Sequence, residues 1–365
     1  MLKPAVVCVG YNRPASLLRL LGSLEKADYK NDDTVLIISL DKSDSKECEE
    51  TAQAFEWTHG TKRVVTHDRN LGLKAHVLEC FAYAEEYGSV ILLEDDLICS
   101  PGYYEYAAAA LSFADKYPMI AGVSLYDHRF NVFLREPFEK ISDGFDNYYM
   151  QFAQSWGQAV TKEMWLDFKQ YLADHDGCDL RCKGMPDEVA AWGEGSWLKY
   201  HIRYLIDSNR YFLYPRESHT TNFMAFGEHS DKPNRDLQVT LSGPIRRELL
   251  FSDPSSSMAV YDAFFENMKL DHPADLYGLK HREGKLDGGR FYSTEALSYK
   301  VDKTYALEMR PFESNITEDI EGRGIFLYDP SKSGPKPKKT GDRISYFFRG
   351  MSIKKAYGYV GEKIR

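Results

Sequence analysis

The chain has 365 residues and a formal net charge of −9, with 43% hydrophobic and 28% charged residues. That length carries one sizeable α/β core plus a smaller appended unit, and the composition excludes overall disorder. The acidic balance excludes a general nucleic-acid binder, because phosphate affinity needs a surplus of Lys and Arg, so no nucleic-acid partner is expected.

The N-terminus, MLKPAVVCVGYNRP, holds too short an apolar stretch for a signal peptide or anchor. No later run approaches the ~20 residues that span a bilayer. The six cysteines, Cys8, Cys48, Cys80, Cys99, Cys178 and Cys182, are scattered, and several sit in apolar runs. Together these features point to a reducing compartment and a cytoplasmic location.

Short β-branched runs at 5–9, 34–40, 63–66, 89–93 and 119–124 alternate with longer amphipathic stretches. This is the pattern of strands joined by crossover helices in a mainly parallel sheet. After Pro14, the leucines at 17, 18, 20, 21 and 24 predict a helix face, and Ala75, Leu78, Ala82 and Tyr83 predict another. Such sheets bind ligands beyond the carboxyl ends of their strands. The residues there are Gly10 to Arg13, then Asp41, Asn70 to Leu73, and Glu94-Asp95-Asp96.

Residues 145–230 are rich in Trp, Tyr, Gly and acids, as loops shaping a cleft would be. Residues 255–330 read as mixed short elements, and 330–339 as a Pro/Gly/Lys linker. The expected division is a nucleotide-binding and catalytic domain at 1–250, a smaller mixed α/β extension at 251–330, and a basic amphipathic tail at 331–365.

The acid triplet is the sharpest feature. Three neighbouring carboxylates repel one another unless they are solvated or share a cation, and all-oxygen ligation suits Mg²⁺ or Mn²⁺ holding a diphosphate. A solvated surface triplet is the alternative, but this one caps a buried-looking strand at the ligand-binding end.

Glu94-Asp95-Asp96-Leu97, followed by Ser100-Pro101-Gly102-Tyr103, resembles the Glu-Asp-Asp-Leu segment of N-acetylglucosaminyltransferase I and of related, family 2-like bacterial polysaccharide glycosyltransferases. Supporting matches run from about residue 5 to 230. They include Asn12-Arg13 before the Leu-rich helix, Val123-Ser124 with Tyr126-Asp127, Trp156-Gly157, and Pro215 with 218–223 and Gly227. The resemblance implies a GT-A type, Rossmann-like sheet with helices on both faces, plus a small C-terminal extension. It also implies a metal-dependent, inverting transfer from a UDP-sugar to a glycan or lipid-linked glycan, as in bacterial surface polysaccharide synthesis.

Carried onto this chain, the resemblance gives Asp96 the metal, Asp95 the ribose or a metal-bound water, and Glu94 the donor sugar. Asp41 would accept from uracil, and Arg13 would touch the nucleotide or a phosphate. For Asp41 the alternative is a turn acid, and for Arg13 a surface helix charge. His229 is a candidate second metal or phosphate contact, or else an exposed loop histidine. Lys74 and His76 are further candidates for approaching the donor, or helix-start decoration.

An inverting transfer needs a carboxylate to take the acceptor's proton. Trp192-Gly193-Glu194-Gly195-Ser196-Trp197 offers Glu194 with flanking aromatics. The resembled family keeps acids directly before the second Trp, where this chain has Gly195 and Ser196. Asp187 and Glu188 are alternative bases, and a helix cap is the alternative role for Glu194.

Other functions fit less well. A dinucleotide oxidoreductase would show Gly-x-Gly-x-x-Gly where Gly10-Tyr11-Asn12-Arg13-Pro14 stands. A nucleotidyltransferase of similar fold and a non-catalytic carbohydrate-binding protein remain as alternatives.

Residues 331–365 hold ten Lys or Arg against two acids, a net +8 that leaves −17 on the rest. With aromatics interleaved, this segment is a candidate for binding an anionic membrane surface at the inner face of the plasma membrane. Its alternatives are a solvated tail or a strip packed on the acidic body.

Overall fold

The structure, a computed structural model, describes residues 1–30, 33–223, 237–340 and 343–347. Strand and helix alternate from the N-terminus as β1 (Ala5–Gly10), α1 (Pro14–Glu25), β2 (Leu36–Leu40), α2 (Glu47–Ala54), β3 (Lys62–Thr66), α3 (Leu73–Tyr87) and β4 (Ser89–Glu94). Next come β5 (Leu97–Cys99), α4 (Tyr103–Ala114), β6 (Ile120–Ser124), the hairpin strands β7 (Phe130–Asn131) and β8 (Glu136–Pro137), β9 (Asn147–Met150) and β10 (Gln158–Thr161). They are followed by α5 (Lys162–His175), α6 (Asp187–Ala190), α7 (Leu198–Asp207), β11 (Tyr211–Pro215), β12 (Thr220–Asn222) and β13 (Val260–Tyr261).

Local chemistry sets these boundaries. Pro14 opens α1 with a ring that supplies the helical φ. Thr161 caps α5 by accepting from the Met164 N–H at 3.3 Å. Gly88 ends α3 at φ 76°, where a side chain would strain the backbone.

The chain forms two compact units, Met1–Arg129 with Ser142–Phe265, and Phe130–Ile141 with Glu266–Arg365. In the first, a nine-stranded sheet has the order β13-β9-β11-β6-β10-β4-β1-β2-β3. β4, β1, β2 and β3 are parallel and in register, with Val9 beside Glu94, Gly10 beside Leu40, and Leu40 beside Thr66. Their carboxyl ends therefore line up on one edge. The sheet is mostly parallel, as expected, but β10 runs antiparallel between β4 and β6. β1, β2 and β6 are buried along their whole length, as strands covered on both faces must be. Gly122 lies in β6 because a Cβ there would meet the Phe212 ring at 2.4 Å.

Two helix faces differ from the expected ones. α1 buries Leu17, Leu20, Leu21 and Leu24, while Leu18 is 54% exposed. α3 buries His76, Val77, Cys80, Phe81 and Ala84 and leaves Ala75 exposed. The face is rotated because His76 and Cys80 count as core. The His76 Nε2 is 2.8 Å from the Ser39 Oγ, which satisfies a polar atom inside. His76 is therefore a core residue and does not approach a donor.

Burial pushes His76 down to about 4, and His201 and His219 to about 3. A histidine held below its unfolded value of about 6.5 gives full stability above that pH, and the contribution is lost as pH falls toward the folded value. Neither ring nitrogen of His201 has a partner among the described residues, and the ring stacks on Phe168 at 4.0 Å. His201→Phe should therefore be at least as stable as wild type at pH 7, and its advantage should grow by about 2 kcal/mol at pH 5. Urea unfolding at both pH values measures this; an advantage that stays constant would contradict it.

The second unit adds β14 (Ala274–Asp275), α8 (Leu279–Arg282), β15 (Phe291–Ser293), β16 (Tyr299–Tyr305), α9 (Phe312–Thr317), β17 (Ile325–Ser333) and α10 (Arg343–Phe347). Its sheet, β14-β15-β17-β16, packs Phe291, Phe326 and Tyr328 with Leu286, Leu297, Tyr299 and Val301. The first unit ends at Phe265, where the sequence reading ended it at 250, and 130–141 joins the second unit.

The start of the expected linker is strand, since β17 pairs with β16 up to Ser333. Pro330 is tolerated there because β15 pairs only with residues 326–328, so no second ladder needs its N–H. In α10, Tyr346 stacks on Phe312 at 4.7 Å, and Arg343 pairs with Glu136 and donates to the Tyr277 carbonyl at 2.9 Å. This part of the basic tail packs within the second unit; residues 348–365 lie outside the described residues.

Candidate active site

β4 carries Val90 to Leu93 through the core and delivers Glu94 half-buried, Asp95 2% exposed, and Asp96 in the turn to β5. The Asp95 N–H donates to the Val9 carbonyl at 3.1 Å, which ties the turn to β1. β5 pairs with β12, and the Phe223 N–H just beyond β12 donates to the Asp96 carbonyl at 2.6 Å.

Arg13, in the loop between β1 and α1, spans the acids. Its guanidinium contacts the Asp95 carboxylate and lies 3.5 Å from Asp96 Oδ2. Burial pushes Asp95 up to about 6 against the pull of Arg13, with Asp96 adding to the rise. Burial and then the charges of Asp96 and Asp95 raise Glu94 well above the carboxylate range. Asp96 Oδ1 is buried and has no hydrogen-bond partner among the described residues. The cluster thus holds more negative charge than one arginine neutralises.

Asp41 is 7% exposed at the end of β2. Its Oδ1 accepts from the Lys42 and Leu71 N–H groups, both at 2.8 Å, and its Oδ2 from the Gly72 N–H at 3.0 Å. It anchors the loop before α3 to β2. A carboxylate offers about four acceptor sites, and three are taken. With strands about 4.8 Å apart, Asp41 and the acids stand roughly 10 Å apart along one edge.

Glu194 stands apart in the loop before α7, with its side chain 92% exposed and 3.8 Å from the Lys199 ammonium. Since α7 leads into β11, which is parallel to β6, its first turn faces the carboxyl edge of the sheet. Lys74 at the start of α3 pairs with Asp176 and lies 4.3 Å from the Tyr200 ring, so it is tied to the ends of α5 and α7. Asp187 and Glu188, at the start of α6, are exposed. His229 lies outside the described residues.

The edge therefore brings together Arg13, Glu94, Asp95 and Asp96, with Asp41 two strands away. The sequence reading missed Arg19, whose guanidinium lies 3.9 Å from the centre of the Phe223 ring. It also gave no role to Asp127, which is fully buried after β6, accepts from the Tyr148 hydroxyl at 3.1 Å and pairs with Arg129 at 2.6 Å. Arg19 left no signal because one arginine in an amphipathic helix reads as surface charge.

Residues 5–161 match the sequence profile of glycosyl transferase family 2. A search of curated proteins finds no match. Among solved structures, the chain is similar to Staphylococcus aureus TarS at 13% identity, with 60% of this chain and 37% of that chain covered and a TM-score of 0.38. A TarS fragment, residues 1–349, aligns at 14% identity over 60% of this chain and 59% of the fragment, with a TM-score of 0.37. The same fragment in complex with UDP gives 13%, 60% and 60%, with a TM-score of 0.38. The chain spans less than two thirds of each of these, and at such TM-scores no residue-level correspondence follows. The family match covers the segment that carries Arg13, Asp41 and the acid triplet: residues 5–161 are similar to glycosyl transferase family 2, which marks a glycosyltransferase domain.

Proposed function

We propose that the chain moves a sugar from a UDP-sugar to a glycan or lipid-linked glycan acceptor with inversion, using Mn²⁺ or Mg²⁺ held at Asp96, in bacterial surface polysaccharide synthesis. The observation that carries this reading is the partnerless, buried Asp96 Oδ1 at the carboxyl edge of β4, inside the family 2 segment. An unsatisfied buried carboxylate oxygen costs free energy that a hard cation would recover.

Among the described residues, no group of three or more His, Cys, Asp or Glu is arranged to hold a metal by itself. This suits a cation taken up with its substrate, because Mg²⁺ and similar ions bind through one or two carboxylates plus phosphate oxygens. When bound, the cation would neutralise the departing diphosphate. Asp96 would hold it, Asp95 would orient Arg13, and Glu94 would face the transferred sugar. Asp41 would fix the loop beside the base and spend its remaining acceptor site on the uracil. Glu194, between Gly193 and Gly195 in the loop before α7, would take the acceptor's proton.

Calorimetry with UDP, GDP and CMP, each with and without Mn²⁺, tests the nucleotide class. UDP binding that needs the metal supports the reading, and equal or metal-free binding of all three contradicts it.

No helix among the described residues is long and apolar enough to cross a membrane. We further propose that residues 348–365 draw the chain to anionic membrane surfaces, since they carry five Lys or Arg against one acid. Full-length protein should sediment with anionic liposomes at low salt, and a chain ending at Phe347 should not. Full-length protein left in the supernatant would contradict this.

A further inference from the structure

We infer that Arg19 is a phosphate-binding residue of the donor site, its guanidinium fixed on Phe223 to receive the diphosphate of the nucleotide-sugar. The inference rests on the UDP-sugar reading above. Arg19 sits in the second turn of α1, a helix that starts at the carboxyl edge. Helical side chains lean toward the helix N-terminus, so a long side chain there reaches back to that edge.

Three observations fix the group. Its guanidinium carbon lies 3.9 Å from the centre of the Phe223 ring, and its Nη2 donates to the Ser16 Oγ at 3.0 Å. Phe223 is itself bound to the turn of acids through its N–H to the Asp96 carbonyl. The Arg19 Nε is buried and has no partner among the described residues.

The charge pattern points to an anion. Asp95 and Asp96 are engaged by Arg13, and among the described residues no carboxylate lies within ion-pair distance of Arg19. Asp96 and Asp95 nevertheless act on it electrostatically, and the side chain stays half-buried. A guanidinium stacked on a ring keeps its in-plane N–H donors at the rim, and among the described residues only one of the five meets an acceptor. That planar fork matches two phosphate oxygens. A diphosphate bridging to a cation at Asp96 would bring such oxygens alongside the acids. Arg13, in contact with Asp95 and 3.5 Å from Asp96 Oδ2, would supply the second positive charge.

The test uses the full-length chain with Mn²⁺, titrated with UDP and inorganic pyrophosphate by calorimetry and with uridine by ligand-observed NMR. Arg19→Gln should weaken UDP and pyrophosphate by about 10-fold or more and leave uridine unchanged, because one charge-assisted fork is lost. Arg19→Lys should fall between, keeping the charge and losing the fork, and Phe223→Leu should weaken UDP by a smaller factor. Arg19→Gln binding UDP as wild type does would overturn the inference. So would uridine and UDP weakening by the same factor, which marks a merely structural role. Wild type that binds pyrophosphate but not UDP, with pyrophosphate binding lost in Arg19→Gln, would uphold Arg19 as a phosphate residue and sink the uridine reading.

Discussion

Asp96→Asn is expected to weaken Mn²⁺-dependent UDP binding by at least about 100-fold and to reduce transfer correspondingly, because one charge and one hard ligand disappear together. The fold should survive. Asp96 lies beside Asp95 and Glu94, both raised by burial and by neighbouring negative charge, so removing one charge relieves repulsion. Arg13 keeps its contact with Asp95. Thermal stability without metal should hold or rise while metal-dependent binding is lost. Calorimetry and thermal unfolding of the same variant separate the two effects. Unchanged UDP binding with unchanged metal dependence would move the cation away from Asp96.

The second large effect concerns the acceptor's proton. Glu194→Gln keeps shape and removes basicity, so transfer should fall by roughly 100-fold with donor affinity nearly unchanged. The side chain is almost fully exposed, and among the described residues its one ion pair is with the Lys199 ammonium, so the substitution should cost little stability. That makes a loss of turnover easy to read. A variant with near-normal turnover and intact UDP binding would pass the role to Asp187 or Glu188, which lie exposed at the start of α6.

The half of the sheet that builds the candidate site was legible in the sequence. β1, β2, β4 and β6 are apolar runs, β3 adds Val64-Val65 after Lys62-Arg63, and the shared carboxyl edge follows from crossover connections. The acid triplet stood out because it interrupts such a run at its end. β9, β10 and β11 were not legible: Asn147-Tyr148-Tyr149-Met150 and Tyr211 to Pro215 carry aromatic and polar residues that read as cleft loops, yet both strands are buried throughout.

The phase of α3 was misread because His76 and Cys80 look polar or neutral and are core once Ser39 supplies a hydrogen bond. Asp41 was legible as a strand-end acid, but its bonds to Leu71 and Gly72 depend on a loop thirty residues on. Arg19 depends on Phe223, which only the pairing of β5 with β12 brings beside α1. These are long-range partnerships, and no local pattern encodes them.

If the carboxyl edge of β4 binds a UDP-sugar with a divalent cation and turns it over, UDP must be released from that donor. The most direct measurement is release of UDP from a panel of UDP-sugars by the full-length chain, with Mn²⁺, with Mg²⁺ and with chelator, beside Asp96→Asn. UDP release from at least one donor is expected, stopping with chelator and falling at least about 100-fold in Asp96→Asn. Release unaffected by chelator and by Asp96→Asn, or glycan binding with no release from any donor under any condition, would contradict this expectation.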